Sequence, residues 1–467
     1  MTERVDVVVV GAGISGLAAA RLLAERGLGV RVLEASPRCG GKIDSIDLDG
    51  LRLDVGAESV LLRRPEAQSL ITELGLADRL VHPTAAKPRV YVEGRAVELP
   101  PSAMGVPSDL DALADLLSSA GLSRARREPT LPAPPLAADV AIGLLVDRRF
   151  GAEVTDRLLE PLLGGVYAGP SRRLSFQAVN SALFERTRAG GALSRHAAQL
   201  RRPGDGPVFG GLTSGIVGLV DALVHDLAFR SVEFQTGATV REIVRRSADG
   251  YRLTVGSTRD PAIVESPAVV LAIPAAPAGR LLAGLVDSAK WLAEIPYAST
   301  ALIALAVRGV DPIGSGLLVP PSELPTVKAV THSSSKWAWL REQTSTTWGE
   351  DVHLLRASVG RLGEEHLLQI GDQELIARTV TELETLPGWS GVRMVAAAVR
   401  RWGGGLPQYE VRHQDSVTRL RFELADRPGL AVCGAAYDGV GVTACLGSAA
   451  MAVDKITADL GSAGWRQ

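Results

Sequence analysis

Three glycines and one acidic residue near the start of the chain have the types and spacing that bind a dinucleotide. Gly11 allows a tight turn, and Gly13 lets the backbone approach a pyrophosphate closely. Gly16 allows a helix to pack tightly on a strand. Glu34 lies 18 residues after Gly16, where a carboxylate can accept hydrogen bonds from an adenosine ribose. This set therefore predicts nucleotide binding.

The elements that must position these residues are readable in the same stretch. The valines of Val7–Val10 predict a buried parallel strand, and apolar residues between Leu17 and Ala24 predict a helix. The start of that helix offers free N–H groups and a positive dipole to phosphates. A second strand, Val30–Leu33, ends next to Glu34. We expect the pyrophosphate to contact the turn and the helix start, at Gly11, Ala12, Gly13, Ile14, Ser15 and Gly16.

A second glycine-rich segment follows the acidic residue and favours a flavin over a nicotinamide cofactor. Arg38, Gly40 and Gly41 come directly after the second strand, and a turn with the sequence Asp-Val-Gly-Ala-Glu-Ser follows at Asp54–Ser59. With these residues the chain resembles the two-domain FAD oxidases built on a glutathione-reductase-like fold. That family includes amine oxidases, carotenoid desaturases and porphyrinogen oxidases.

Composition narrows the classes of function. A net charge of −2 on 467 residues gives no general attraction for nucleic acid or anionic membranes. The three cysteines, Cys39, Cys433 and Cys445, have no paired spacing, which argues against a disulfide framework or a zinc site and favours a reducing compartment. The stretch Ala268–Val286 is interrupted by prolines and an arginine and so does not predict a membrane span. We expect a cytoplasmic protein and leave a peripheral membrane contact open.

Strand-like and helical patterns along the chain predict a fold assembled from separated pieces. The fold class is α/β: a Rossmann-like FAD-binding domain of glutathione-reductase or amine-oxidase type, an α+β substrate domain and a helical insert. The predicted pieces are 1–84, 201–290 and 425–467 for the FAD-binding domain, 85–127 and 291–424 for the substrate domain, and 128–200 for the insert.

Three further segments narrow the resemblance to the FAD-dependent protoporphyrinogen and coproporphyrinogen III oxidases. Residues 160–175 are similar to a loop of that family that precedes a Ser-Leu-Ser-type turn. The segment Arg401–Tyr409 resembles its Trp…Met-Pro-Gln-Tyr segment, although Gly403–Leu406 stands in place of bulkier residues. Ala435–Val442 is similar to the C-terminal flavin loop of the family.

The resemblance implies a reaction and a cofactor. Members of the family use FAD and O₂ to remove six hydrogens from a porphyrinogen, with flavin N5 as the hydride acceptor and H₂O₂ as the co-product. No side chain of the protein is assigned a catalytic role, because the flavin carries the chemistry and the protein positions the substrate. The composition, with 44 arginines against 6 lysines, makes the chain resemble the family members of high-GC Gram-positive bacteria. That group generally oxidises coproporphyrinogen III, so the resemblance implies this substrate.

Family contacts with FAD transfer onto this chain position by position. The resemblance places Glu34 and Ala35 at the ribose and the Val240 backbone at the adenine. The remaining expected contacts follow the cofactor from its middle to the flavin ring: Arg38, Gly41, Lys42, Gly56, Ala57, Glu58, Ser59, Trp402, Ala435, Val440, Gly441 and Val442.

A porphyrinogen is a flat apolar ring with carboxylate arms, so its pocket should be apolar with a cation at the edge. Arg89 aligns with a basic residue of the family that meets a propionate, Arg64 is a second candidate, and Gly165 corresponds to a backbone contact with the macrocycle. We expect Arg89→Ala to raise KM.

Three alternatives stay open on the sequence alone. The first is a protoporphyrinogen IX oxidase, which would share every motif above. The second is an amine oxidase, disfavoured by an aromatic content of only 4% because such enzymes flank their flavin with aromatic side chains. The third is a non-catalytic binding protein like the escort proteins of prenylated GTPases, which have no need of the C-terminal flavin loop.

Overall fold

A computed structural model describes residues 5–200, 207–246 and 250–462. The predicted boundary between 200 and 201 touches residues 201–206, which lie outside the described part. Among the described residues, no helix combines the length and the apolar character needed to cross a membrane.

A five-stranded parallel sheet forms the centre of the first domain. Its strands, in spatial order, are Glu233–Gln235, Val30–Leu33, Val7–Val10, Ala268–Leu271 and Leu430–Val432. All five fall within the three separated ranges expected for the FAD-binding domain. Each face carries its own apolar core, and the strand Val7–Val10 is fully buried because both faces are covered.

Helices cover the faces of this sheet and bring the glycine turn to its carboxyl edge. Helix Ile14–Glu25 packs between helix Val442–Ser462 and helix Val217–Phe229 on one face. An antiparallel sheet, Val240–Arg245, Tyr251–Gly256 and Pro261–Ser266, contributes to the core on the other face. Ligands of open α/β sheets bind beyond the carboxyl ends of the strands, which here is the edge that carries the glycine turn.

A seven-stranded mixed sheet forms the second domain. Its strands in order are Arg393–Pro407, Tyr297–Arg308, His353–Val359, Val327–His332, Gly316–Leu318, Pro88–Val92 and Arg95–Glu98. Side chains of a strand alternate between the two faces of a sheet. One face is covered by helix Asp372–Leu383, and the other looks toward the first domain and the helical insert.

Two segments pack against a different core from that of the domain to which the sequence assigned them. Leu113, Leu116 and Ala125, assigned to the substrate domain, belong to the core of the helical insert. Helix His413–Ala425, assigned to the same domain, packs Val417 and the leucines after it on the parallel sheet. Both segments lie next to the expected boundaries at 127 and 424, and amphipathic spacing does not say which of two neighbouring cores a helix will cover.

The remaining elements are short. Strands Ser45–Leu48 and Leu51–Asp54 form a hairpin, Phe209–Leu212 joins Val60–Leu61 and Leu80–Val81, and Ser102–Ala103 pairs with Val106–Pro107. The other helices are Pro65–Glu73, Ser119–Arg126, Ile142–Phe150, Ala152–Val154, Thr155–Leu159 (a π-helix), Glu160–Tyr167, Phe176–Val179, Ser181–Thr187, Leu193–Leu200, Ala275–Leu282, Ala289–Glu294, Ser333–Lys336 and Ala338–Trp348, with 3₁₀ turns at Ala77–Arg79, Asp111–Leu113, Glu128–Thr130 and Glu365–Leu368.

Candidate flavin site and its surroundings

The glycine turn is a cradle that larger residues would fill. Gly11 has a φ of +103°, and a Cβ there would lie 2.6 Å from the Ala272 carbonyl oxygen. A Cβ on Gly16 would lie 1.9 Å from the carbonyl oxygen of Gly11, so helix and strand can approach this closely only at glycine. Gly13 begins the helix without any side-chain cap. The helix start is therefore open to an anionic ligand.

Glu34 lies against this turn with both carboxylate oxygens oriented by backbone N–H groups. Oε2 accepts a hydrogen bond from the Ala12 N–H at 2.7 Å, and Oε1 accepts one from the Ser36 N–H at 2.8 Å. The Ala238 N–H also donates to the Glu34 carbonyl oxygen at 2.8 Å, which brings the segment before Val240 beside the acidic residue. A carboxylate has lone pairs beyond these two bonds, so Glu34 can still accept from ribose hydroxyls. Ala35 is exposed in the same turn.

The second glycine pair folds onto the first. The Gly40 N–H donates to the Ala12 carbonyl oxygen at 2.8 Å, and a Cβ on Gly41 would lie 3.0 Å from the Cα of Gly13. The Arg38 guanidinium donates to the Gly41 carbonyl oxygen at 2.7 Å and forms an ion pair with Asp44 at 3.1 Å. Arg38 therefore braces this loop, and its expected contact with the cofactor stays a proposal.

Lys42 is exposed to solvent although protein surrounds it on most sides. Its side chain is accessible, yet desolvation by the surrounding protein lowers the pKa of its ammonium, and this combination is expected of a group that lines a recess. The ammonium lies 5.5 Å from the centre of the Tyr297 ring. Among the residues that the structure describes, no carboxylate lies within ion-pair distance of Lys42.

The turn around Gly56 is held between the two domains. A Cβ on Gly56 would lie 2.0 Å from the Lys42 carbonyl oxygen, so this close approach requires glycine. The Trp402 indole N–H donates to the Val55 carbonyl oxygen at 2.8 Å, and the Arg356 guanidinium donates to that of Gly56 at 2.7 Å. Two strands of the seven-stranded sheet thus fix this turn of the first domain. Ala57 and Ser59 continue the turn and are partly buried.

The Glu58 carboxylate forms ion pairs within the protein and is not free to contact a cofactor. Its two oxygens pair with Lys336 and Arg356. Burial raises the pKa of Glu58, but the two cations and their hydrogen bonds outweigh it and hold the pKa at about 2. The Glu58 side chain is thus turned toward cations from distant segments of the chain, and the expected contact of the Gly56–Ser59 turn with the flavin stays a proposal.

Residues 434–441, the C-terminal turn, connect the last strand of the parallel sheet to helix Val442–Ser462. Ala435, Val440 and the exposed Gly441 lie in it, and Val442 begins the helix. Asp438, at the middle of the turn, pairs with Arg421 at 2.6 Å and accepts from the Ser448 hydroxyl.

The structure does not bring the three expected substrate residues together. Leu318 pairs with Val90, and Leu317 with Arg89, so these two pairs point to opposite faces of the sheet. Gly165 is exposed on its helix, 3.6 Å from the Leu318 side chain when a Cβ is placed on it. Val90 and Leu318 contribute to the core of the helical insert, whereas Leu317 belongs to the core under helix Asp372–Leu383.

Arg89 lies on the face of the sheet opposite Leu318, and its contact with a propionate stays a proposal. Its guanidinium donates to the Ala96 carbonyl oxygen at 3.0 Å. Arg356 and Trp402 lie on the opposite face, as the pairing of Thr331 with Arg356 and of Thr300 with Trp402 requires. A resemblance of sequence identifies the strand that carries Arg89 but not the face on which its side chain lies.

Arg64 precedes helix Pro65–Glu73. It pairs with Glu66 at 2.6 Å and lies against Gly447, one turn inside the last helix. Half of its side chain is exposed. Nothing in these contacts directs it to the face that carries Leu318, so its role at a substrate stays a proposal.

Sequence reasoning missed Arg356, Lys336 and Tyr409. The two cations carry no motif, since their partner Glu58 is 278 or more residues away. Tyr409 was visible as the last residue of the Pro-Gln-Tyr segment, without any indication of what its hydroxyl would bind.

The fold and the site define a dinucleotide-binding flavoenzyme. The glycine cradle, the free helix start and the oriented Glu34 carboxylate fit the pyrophosphate and the adenosine ribose of FAD. The sequence profile described as "Flavin containing amine oxidoreductase" matches residues 14–457. The chain belongs to this family, and within it to the branch of proteins named coproporphyrinogen III oxidase, and its cofactor is FAD.

Individual relatives support that placement. The chain is 37% identical to "Coproporphyrinogen III oxidase" of Mycobacterium tuberculosis (strain ATCC 25618 / H37Rv), with 98% of each chain covered. It is 29% identical to the protein of that name in Bacillus subtilis (strain 168), with 97% of this chain and 98% of the relative covered. The solved structure of a putative protoporphyrinogen oxidase from Exiguobacterium sp. 255-15 superposes with a TM-score of 0.83 at 28% identity, covering 99% of this chain and all of the other.

Proposed function

We propose that this protein oxidises coproporphyrinogen III to coproporphyrin III, with O₂ as the final acceptor and H₂O₂ as the co-product. The observation that carries the proposal is the 37% identity over 98% of both chains with a coproporphyrinogen III oxidase. Identity of this extent includes the insert and the seven-stranded sheet, which are the parts that would hold the substrate. We also propose that the protein works in the cytoplasm and that any membrane contact is peripheral.

Different residues of the chain would bind different parts of FAD. The glycine cradle and the start of helix Ile14–Glu25 hold the pyrophosphate, and Glu34 holds the ribose. The turns at Gly56 and Ala435 approach the flavin ring, as do Lys42 and Trp402. Bound FAD supplies the hydride acceptor. An anionic reduced ring would be stabilised by the open start of helix Val442–Ser462.

The apolar face that carries Leu318 is the surface on which we place the macrocycle. Gly165 and Leu318 approach each other there, and a flat ring requires backbone without a side chain at such a position. The carboxylate arms would leave this face toward solvent. We assign no protein side chain to proton transfer, because positioning and the exclusion of water suffice where the cofactor performs the redox step.

Protoporphyrinogen IX is the second candidate substrate. The solved relative from Exiguobacterium is called a putative protoporphyrinogen oxidase, and its TM-score of 0.83 covers the substrate domain as well. The two porphyrinogens share the ring and differ in the number of carboxylates. The number of cations at the edge of the pocket would therefore decide which of the two porphyrinogens binds better.

The deciding experiment is a comparison of both porphyrinogens on the FAD-loaded protein. Porphyrin fluorescence measures product, and peroxide is measured in the same samples in air and without oxygen. We expect kcat/KM for coproporphyrinogen III to exceed that for protoporphyrinogen IX at least roughly tenfold, the ratio that a difference of about 1.4 kcal/mol gives. The reverse preference, or turnover of neither by protein with a full flavin spectrum, would overturn the proposal.

A further inference from the structure

Tyr409 connects the second domain and the insert to the C-terminal turn. The residue follows strand Arg393–Pro407 and is fully buried. Its hydroxyl donates to the carbonyl oxygen of Ala435, and it accepts a hydrogen bond from the Gly439 N–H at 3.0 Å. One side chain thereby joins the two ends of the turn, which approaches the flavin at Ala435 and at Val440.

The ring that carries this hydroxyl is itself fixed. It stacks on His413 with 4.1 Å between ring centres and 20° between planes, and it lies 5.7 Å from the Tyr167 ring. The Ser175 N–H of the insert donates to the Tyr409 carbonyl oxygen at 2.7 Å. Burial raises the pKa of Tyr409 well above its ordinary value, so the hydroxyl keeps the proton that it donates.

Other contacts hold the start and the middle of the turn. Gly439 has a φ of +133°, which a residue with a side chain rarely adopts, and a Cβ there would lie 2.8 Å from that of Ala444. The pairs that Asp438 makes with Arg421 and Ser448 hold the middle of the turn. At its start the Gly434 N–H donates to the Ser448 hydroxyl at 3.1 Å, whereas the Ala435 carbonyl oxygen and the Gly439 N–H are bound by the phenol.

We propose that Tyr409 is a positioning residue for the flavin: it sets the separation of Ala435 and Gly439, and with it the direction in which helix Val442–Ser462 presents its first N–H groups. The residue acts through the turn and does not need to touch the cofactor. The proposal depends on FAD binding alone and is independent of which porphyrinogen is oxidised. Its failure therefore leaves the proposed function intact, and the converse also holds.

The test is Tyr409→Phe, which removes only the hydroxyl. Two partly buried backbone groups then lose their partner, so we expect FAD to bind roughly 5- to 50-fold more weakly. The flavin midpoint potential should become more negative, because the helix start no longer points its dipole at the reduced ring. The measurements are a titration of apoprotein with FAD and a spectroscopic redox titration of reconstituted protein, neither of which requires turnover.

Tyr437→Phe is the matched control. Tyr437 is fully buried in the core on the far side of the turn, and its hydroxyl has no hydrogen-bond partner among the described residues. This control loses the same atom two residues from Ala435, and we expect FAD affinity and potential to stay at the wild-type values. Equal affinities and potentials for Tyr409→Phe and Tyr437→Phe would overturn the proposal, even if both variants melt at lower temperature.

Hydrogen exchange on the wild-type protein provides a second test, which can be used if Tyr409→Phe does not fold. If the phenol sets the turn before the cofactor arrives, the Gly439 amide is protected in apoprotein as well as in holoprotein. Protection that appears only after FAD is added would mean that the cofactor shapes the turn, which contradicts the proposal.

Discussion

The Glu34 carboxylate accepts the Ala12 N–H at 2.7 Å and so ties the end of one parallel strand to the glycine turn that follows the neighbouring strand. The Ser36 N–H orients the second oxygen. The carboxylate is thus fixed before a ribose binds, which reduces the ordering that binding must provide. Because backbone N–H groups hold the Glu34 carboxylate in place, it is already oriented to accept hydrogen bonds from the two hydroxyls of a ribose.

Replacement of Glu34 by Gln should weaken FAD binding. The amide keeps one acceptor oxygen, but its NH₂ group opposes either the Ala12 or the Ser36 N–H and removes the charge that strengthens bonds to ribose hydroxyls. We expect the dissociation constant to rise about 10- to 100-fold, equivalent to roughly 1.5–3 kcal/mol. Quenching of FAD fluorescence on titration of the apoprotein measures it.

Glu242→Gln is a suitable control, since Glu242 is an exposed residue of strand Val240–Arg245 whose carboxylate, within the described part of the chain, meets only the Thr254 hydroxyl, at 3.3 Å. An unchanged dissociation constant in Glu34→Gln would remove Glu34 from the ribose site.

The sequence predicted those parts of the site whose partners are close along the chain. Gly11, Gly16 and Glu34 belong to one strand–helix–strand unit, in which spacing and residue type determine the geometry. The strands Val7–Val10 and Val30–Leu33 were visible as apolar runs. The order of strands in the parallel sheet and its edge strand Glu233–Gln235 were not predicted.

What the sequence did not predict depends on contacts between distant strands. The face on which Arg89 lies is decided by its register with Leu317, more than 200 residues later. The partners of Glu58 come from the sheet of the other domain. A one-residue change of register would reverse such an assignment, and no local pattern determines it.

Arg89→Ala should leave the KM for the porphyrinogen within about twofold of the wild-type value, since surface substitutions away from a site cost little. This expectation reverses the one drawn from the sequence, because the side chain lies on the face opposite Leu318 and Trp402. Steady-state kinetics by porphyrin fluorescence measures KM. A rise of tenfold or more would show that the arginine reaches the substrate after all.

Glu58→Gln should destabilise the protein and lower its FAD content together. Lys336 and the buried Arg356 lose their shared carboxylate, and removing one partner of a buried pair costs roughly 3–5 kcal/mol. Arg356 also holds the Gly56 carbonyl oxygen, so the turn next to the flavin loosens. A lower thermal midpoint with less retained flavin is the expected outcome, and full retention of flavin would separate this ion cluster from the cofactor site.

The same cluster predicts a direction of pH dependence. The folded-state pKa of Glu58, about 2, lies below its ordinary value of 4.5. Its stabilising contribution is therefore complete above pH 4.5 and is lost as the pH falls toward 2. The difference in thermal midpoint between wild type and Glu58→Gln should shrink between pH 5 and pH 3. A constant difference over that range would contradict the assignment.

Lys42→Met should make the flavin a weaker oxidant while leaving it bound. The ammonium has no carboxylate partner among the described residues, and the Lys42 carbonyl lies against the Gly56 turn, so the charge is free to stabilise a reduced anionic ring. Such a charge at an effective dielectric constant of about 20 is worth roughly 1–3 kcal/mol, which for a two-electron couple is about 20–60 mV. We expect the midpoint potential to fall by that amount.

Methionine keeps the length of the side chain, so changes in packing at Lys42 are small. Lys42→Arg keeps the charge and should retain most of the wild-type potential, which separates the effect of charge from that of shape. Redox titration of both variants, with FAD content measured in the same samples, gives the answer. Equal potentials in Lys42→Met and Lys42→Arg would show that the ammonium does not act on the flavin, and the charge that favours reduction would then have to come from the start of helix Val442–Ser462.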